Sequence, residues 1–254
     1  MSRWNAHLYD VSLKYISDYG KELVALLNPK KDELIVDLGC GTGSITNEIA
    51  VSGAKLIGVD SSPSMIQRAK EKFPKIEFIE ANATDFQISQ KADAVFSNAA
   101  LHWIVAEQQE IAIQNIRDNL KVGGRLVAEV GGKGNIQKII SSIDETVSAA
   151  GFDKVSFEDV FYFPSIGEYA TLLEKNGYKV EMCHLFDRPT AILNGINGFK
   201  DWVSVFGISF FQNVPSDKQS EIIDKAIKLM MNKLEKDDRY FADYVRLRVI
   251  ARKI

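Results

Sequence analysis

The chain has 254 residues, 46% of them hydrophobic and 26% charged, with a formal net charge of -3 and a pI near 5.7. This composition supplies enough apolar surface for a packed core and excludes a disordered or fibrous polypeptide. The acidic balance gives no global positive field for a phosphate backbone, and no run approaches the roughly 18 to 20 apolar residues that span a bilayer, so neither nucleic acid nor membrane is an expected partner.

The start, Met1-Ser2-Arg3-Trp4-Asn5, lacks a signal-like apolar region, which makes a cytoplasmic protein the expectation. Cys40 and Cys183, with His7, His102 and His184, are scattered without metal-ligand spacing. Reduced thiols and no metal are expected.

In chain order, Trp4 to Leu27 carries Trp4, Tyr9, Tyr15 and Tyr19 and reads as helical, a cap over 1–28 ahead of the first strand. Five short β-branched runs then alternate with segments of helical period, the pattern of a parallel sheet wrapped by helices. Strands are predicted near Leu34–Leu38, Lys55–Val59, Ile76–Ile79, Ala94–Ser97 and Arg125–Val130. Ser62 followed by Pro63 is a helix start; Ile111, Ile113, Ile116 and Leu120 give a one-sided helix, and Lys121-Val122-Gly123-Gly124-Arg125 a turn. Later, Ile166 to Gly177 reads as a helix and Tyr178 to Phe186 as a strand. The last strand, Tyr244 to Arg252, alternates Val245, Leu247, Val249 and Ala251 with Arg246, Arg248 and Arg252. These two strands complete a seven-stranded, mostly parallel α/β sheet with helices on both faces. Between them, the aromatic Gly198–Gln212 segment and an amphipathic helix from Ser216 to Leu234 form a candidate lid over about 190–236. A single domain is expected, with its core over about 30–186 and 240–254.

The first strand runs straight into Asp37-Leu38-Gly39-Cys40-Gly41-Thr42-Gly43, and Ser44 opens a helix. Glycines there remove Cβ atoms that would obstruct a tight turn and a close ligand, while helix-start amides can receive a carboxylate. Asp60, 17 residues after Gly43 and at the end of the second strand, offers a carboxylate to two ribose hydroxyls. Together these features point to a nucleotide-like ligand. Dinucleotide enzymes favour G-x-G-x-x-G; here the third glycine comes one residue early behind an acid, which leaves an NAD-dependent oxidoreductase as the alternative. No GxxxxGK[ST] phosphate loop is present.

These residues, with Asp93-Ala94-Val95-Phe96 and the Leu120 to Gly124 turn, resemble class I S-adenosylmethionine-dependent methyltransferases over residues 30 to about 130. Trp4-Asn5 with Leu8-Tyr9, Asp60-Ser61-Ser62-Pro63-Ser64-Met65 and Ser97-Asn98-Ala99-Ala100-Leu101-His102-Trp103 resemble its small-molecule branch, which contains trans-aconitate methyltransferase. The resemblance implies a Rossmann-like fold and S-adenosylmethionine as cofactor, leaving as S-adenosylhomocysteine. It implies that Asp37, Gly39, Cys40, Gly41 and Gly43 border the methionine part, that Asp60 binds the ribose, and that Ser61 and Met65 flank the adenine. Where the family usually has an adenine-binding aspartate this chain has Asn82, whose side-chain oxygen can still accept, with the Ala83 amide beside it. Asn98 belongs to the segment that faces the transferable methyl.

Methyl transfer is an in-line displacement that asks the protein mainly to align an acceptor and exclude water. Ser97-Asn98-Ala99-Ala100 lacks the proline-containing tetrad of many nitrogen methyltransferases, so a small-molecule carboxylate or hydroxyl is the expected acceptor. His102 is the candidate general base, with packing over the cofactor as its other role. Lys133, in Gly131-Gly132-Lys133-Gly134-Asn135, is a candidate substrate cation, as are Arg188, Arg246 and Arg248 unless they lie on a solvated edge face. Tyr9, Tyr15, Trp202 and Phe206 are candidates to roof the pocket over a partly apolar acceptor. A monomer or homodimer is expected. A cofactor-binding protein without turnover is the non-enzymatic alternative.

Overall fold

The computed structural model describes residues 14–254, with side chains from Gly20 onward. Trp4 and Tyr9 lie outside the described residues, and of Tyr15 and Tyr19 only helical backbone is described. The elements are α1 (Lys14–Leu27), β1 (Leu34–Leu38), α2 (Ser44–Ala50), β2 (Lys55–Asp60), α3 (Pro63–Lys72), β3 (Glu77–Glu80), β4 (Ala92–Asn98), α4 (Ala106–Asn119) and β5 (Leu120–Gly131). They continue as α5 (Gln137–Ala149), α6 (Ile166–Lys175), β6 (Tyr178–Ile192), α7 (Ile196–Trp202), α8 (Ser216–Leu234), β7 (Glu235–Lys236) and β8 (Arg239–Lys253).

The sheet runs β3-β2-β1-β4-β5-β8-β6, with the two-residue β7 paired to β8. The first five strands are mutually parallel; β8 is antiparallel to both β5 and β6. The sequence leaves β1 in one direction for β2 and β3 and returns on its other side as β4 and β5. That reversal opens a crevice at the carboxyl ends of β1 and β4, where open α/β sheets take their ligands.

Alternation along the strands sends side chains to two layers. On one face, Val36, Val59, Val95 and Ala128 pack with Ile113 and Ile116 of α4 and with Tyr169 and Leu173 of α6. On the other, Ile35, Leu56, Ala94, Phe96 and Val127 pack with Leu23 and Leu27 of α1 and Ile49 of α2. Leu23 and Leu27 are fully buried, each burial stabilising by about 1.5–3 kcal/mol. α6 starts where Ser165 and Glu168 form a reciprocal capping box, which satisfies amide donors at the helix start and fixes the entry of the chain.

Three boundaries differ from expectation. Lys121–Arg125 is not a free turn: β5 is continuous from Leu120, with a bulge opposite Ala92 and Ala94 and Gly123 in the left-handed region at φ 77°. β6 continues past Phe186 to Ile192, pairing with β8 as far as Tyr240, and the helical insertion between β6 and β7 follows it. Finally, β8 is an internal strand, and Arg246 and Arg248 on it are covered rather than solvated, at 9% and 13% exposed, while Arg252 stays 42% exposed.

Between β6 and β7, α7, a wide helical turn at Val203–Gly207, a short 3-10 turn at Ile208–Phe211 and α8 fold into a second core. Phe199, Trp202, Phe210, Phe211, Ile227 and Met230 pack there against Ile139 and Ile143 of α5 and against Tyr244 of β8. The apolar spacing of α8 makes one stripe, and α5 receives it.

Candidate active site

A cavity of about 490 Å3 opens at the carboxyl ends of β1, β2 and β4. Its size falls within the roughly 300–1,000 Å3 usual for small-molecule sites. One end is the glycine loop: Gly39 and Cys40 donate backbone hydrogen bonds to the Val59 carbonyl at 2.7 and 3.1 Å, folding the loop across β2. Asp60 ties this end together, its Oδ2 accepting from the Gly41 amide at 2.9 Å and its Oδ1 from the Ser62 amide at 2.9 Å. Burial raises the Asp60 pKa above the ordinary carboxylate value, opposed by these two amides.

Gly39, Gly41, Asp60, Ser61, Met65, Asn82, Ala83, Asn98, His102, Trp202 and Phe206 all line the cavity. Asp37, Cys40, Gly43 and Lys133 do not, nor do Arg188 and Arg248. Asp37 is buried beneath the loop, where Thr46 Oγ1 donates to its Oδ2 at 2.6 Å, pinning α2 to β1. Its pKa is pushed up to about 7, by burial first, with the Thr46 hydrogen bond opposing and the Asp60 charge adding. Cys40 turns away into a cluster with Ile66, Ala69 and Phe78. Gly43 serves packing: a Cβ there would meet Phe78 Cζ at 2.8 Å, and its φ is 79°. Lys133 lies outside the lining and is exposed.

The cavity's other end is aromatic. Trp103 and Phe161 have ring centroids 4.5 Å apart, Phe161 and Phe163 5.0 Å, and Trp202 and Phe206 5.7 Å. Phe161, Phe163, Asn135 and Tyr244 are lining residues that sequence reasoning did not single out for the site. Trp202 Nε1 donates to Tyr244 Oη at 2.7 Å, which ties the helical insertion to β8. Two non-glycine residues of the lining, Ala99 at φ 55° and Ile136 at φ 49°, hold left-handed backbone conformations that cost energy unless their surroundings over-determine them. Both are anchored by amides: Ala99 donates to the Glu129 carbonyl at 2.8 Å and Ile136 to the Asp243 carbonyl at 3.0 Å.

His102 sits between the two ends on a short 3-10 turn, 7% exposed. Its Nδ1 accepts from the Gly131 amide at 3.1 Å, which places the ring proton on Nε2. Burial, with the Arg246 cation adding, pushes its pKa down to about 3. A ring so fixed is a donor and a poor base.

Behind the aromatic end, Glu129 is 2% exposed and meets three guanidinium groups. Arg188 Nη1 is 2.8 Å from its Oε1, Arg248 Nε 2.6 Å from its Oε2, and Arg246 Nε 3.9 Å from its Oε1. Glu22 of α1 bridges Arg188 and Arg248 from outside at 3.2 and 2.6 Å. Of the three arginines, Arg246 is the one that lines the cavity.

Comparison with known proteins bears on the reading of this site. Residues 35–124 match a family model described as a methyltransferase domain. An uncharacterised methyltransferase of Schizosaccharomyces pombe (strain 972 / ATCC 24843) is 30% identical over 262 residues, covering 98% of each chain. The chain belongs to the S-adenosylmethionine-dependent methyltransferases. Within that family, trans-aconitate 2-methyltransferase of Escherichia coli O1:K1 / APEC is 39% identical over 106 residues, 41% of this chain and 42% of that one. A methyltransferase of Bacillus halodurans C-125 shares the fold at TM-score 0.63 and 17% identity, over 92% of this chain and 97% of that one. Geranyl diphosphate methyltransferase, solved in complex with S-adenosylmethionine, shares it at TM-score 0.57 and 15% identity, over 94% of this chain and 85% of that one.

The methyltransferase cofactor fits the glycine end. A Cβ added at Gly39 would overlap the Ala100 side chain, whereas one at Gly41 would meet nothing within 4 Å, so the loop leaves open space on its cavity side. The half-buried Asp60 carboxylate beside that space can accept from a diol, and Asn82 and Ala83 continue the same wall. Among the described residues no helix is long and apolar enough to cross a membrane, and no cluster of side chains could hold a metal ion.

Proposed function

We propose that this methyltransferase transfers the methyl group of S-adenosylmethionine to an oxygen of a small-molecule carboxylate. The observation carrying this reading is how His102 is held: it lines the cavity, yet its Nδ1 accepts from the Gly131 amide and burial pushes its pKa well down, which makes it a poor base. A hydroxyl acceptor needs a base to remove its proton, while a carboxylate is already ionised at pH 7. When bound, S-adenosylmethionine supplies an electrophilic methyl carbon on a sulfonium.

In this reading Asp60 binds the ribose diol, Ser61 and Met65 hold the adenine with Asn82 and Ala83, and Gly39 and Gly41 admit the methionyl part. Asp37 acts from beneath by holding the loop to α2. The lid over about 193–234, carrying Trp202 and Phe206, excludes water from the acceptor end. One domain over the whole chain, acting in the cytoplasm as a monomer or homodimer, completes the proposal. The net charge of -3 favours a small molecule over nucleic acid.

Calorimetric titration with S-adenosylhomocysteine, followed by a carboxylate screen read as methyl-ester formation by mass spectrometry, tests it. Binding with ester formation is the expected result. Binding with no ester from any carboxylate, but with ether formed from a hydroxyl compound, would overturn the carboxylate assignment; NAD binding in place of the homocysteine would overturn the whole reading.

A further inference from the structure

Around Glu129 the three arginines are not equally engaged among the described residues. Arg188 and Arg248 each hold one oxygen of Glu129 within 2.8 Å, whereas Arg246 reaches that carboxylate only at 3.9 Å. Arg246 is left with Asn135 Oδ1, to which its Nη1 donates at 3.2 Å, and with the Tyr244 ring, over which its guanidinium stacks at 4.3 Å. Most of its N–H donors are therefore unspent among the described residues. His102, on the same cavity wall, has its Nδ1 occupied by the Gly131 amide, and its Nε2–H has no partner among the described residues.

A guanidinium and an N–H donor that line the aromatic end of one cavity make an oxyanion subsite. Charge-assisted hydrogen bonds are the strong ones, and they strengthen where water is excluded. The apolar wall constrains what else the ligand carries. Trp103, Phe161, Phe163 and Phe206 surround this subsite, and Arg246 is the one cationic side chain among the described residues that line the cavity.

Resting on the methyltransferase reading above, we infer that Arg246 and His102 Nε2–H form the carboxylate subsite of an acceptor bearing a single negative charge on an aryl or alkyl body. A polycarboxylate such as trans-aconitate, named for the partial relative, finds one cation for its several charges and would leave the others desolvated against aromatic rings, which is costly. In the methyl transfer, one carboxylate oxygen rests on Arg246 while the other forms the new C–O bond as the S–CH3 bond breaks. The sulfonium charge and the carboxylate charge cancel, and no proton moves.

The test uses the full chain saturated with S-adenosylhomocysteine and calorimetric titration of cinnamate, phenylacetate and decanoate against cinnamamide and trans-aconitate. At least one monocarboxylate should bind about tenfold or more tighter than both the neutral amide and the tricarboxylate, as expected for a charge-assisted contact. Arg246→Gln should bring it to the level of the amide, and His102→Phe should weaken it while His102→Gln, which keeps an N–H, restores it. S-Adenosylhomocysteine affinity should be unchanged in all three variants. If S-adenosylhomocysteine binds but no monocarboxylate outbinds the amide, or trans-aconitate binds as tightly, the inference is overturned while the cofactor reading stands. Failure to bind S-adenosylhomocysteine overturns that underlying reading instead. The wild-type comparison decides the matter even if a buried variant does not fold.

Discussion

His102 shows how much one backbone amide determines at a single side chain. Gly131 N–H occupies Nδ1, so the ring cannot use that nitrogen as a base, and burial keeps the other protonation out of reach at neutral pH. Stability follows from the same shift. An unfolded chain protonates this ring near 6.5, the folded one only near 3, so between those values the unfolded state holds the extra proton. The stability contributed is whole above 6.5 and is lost as the pH falls. By about pH 5 the loss should be about 2 kcal/mol, and His102→Gln should lack it. Urea unfolding of both proteins at about pH 7.5 and about pH 5 checks this; equal losses in the two would mean that the ring is not desolvated. At Gly39 the constraint is steric. The Gly39→Ala variant must place a Cβ into Ala100 at φ 79°, a conformation that costs about 1–2 kcal/mol on its own. S-Adenosylhomocysteine affinity should fall by tenfold or more, since about 1.4 kcal/mol is tenfold, whereas Gly123→Ala, whose Cβ meets nothing within 4 Å, should leave it unchanged.

At the scale of elements, β8 changes the chemistry of its neighbours by being internal. It carries Arg246 and Arg248, β5 supplies Glu129 and β6 supplies Arg188, so one buried carboxylate is shared among three strands. Removing the acid leaves guanidinium groups buried without their counter-charge. Glu129→Gln should therefore cost about 3–5 kcal/mol in urea unfolding. Glu22→Gln removes a carboxylate that is 61% exposed and should cost less than about 1 kcal/mol. Similar costs for the two would mean that the buried acid is not the hub. This strand also marks where the sequence stops being readable. The glycine loop and Asp60 are legible because each lies at the end of a strand whose neighbours are set by the alternation of strand and helix. The acceptor end is assembled from Asn135, Phe161, Phe163, Trp202, Tyr244 and Arg246, which meet only because β8 inserts between β5 and β6. Alternating arginines look like a wet edge until the second neighbouring strand is known. The aromatics of the lid were visible at helical spacing, but that spacing fits a core as well as a pocket, and Phe210 and Phe211 are core while Phe206 lines the cavity. Asp37 opens the loop, but its side chain accepts from Thr46 beneath it, a placement that the motif alone does not show.

For the whole molecule, the cavity lies between two cores. Leu38, Val59 and Leu101 belong to the core on one face of the sheet, and Ile136, Phe161, Trp202 and Tyr244 to the core that includes the lid. A ligand bound between them should raise the stability of the native state as a whole. At about 100 times its dissociation constant S-adenosylhomocysteine should add about 2.7 kcal/mol. For a chain of this size that is a rise of about 5–10 °C in the unfolding midpoint, and NAD at equal concentration should give none. A thermal scan with each ligand reads the difference directly.

The two ends of that cavity are written in different stretches of the polypeptide. The residues proposed for the cofactor fall within 35–124, the span that matches the family model, whereas most of the aromatic end, Asn135, Phe161, Phe163, Trp202, Tyr244 and Arg246, lies beyond it, with His102 and Trp103 the exceptions. In the proposed reading the reagent and the addressee are thus encoded largely separately. Mutation can rewrite the second without disturbing the first, and a chimera that keeps residues up to 124 but takes its remainder from a relative should inherit this chain's cofactor and the relative's choice of acceptor.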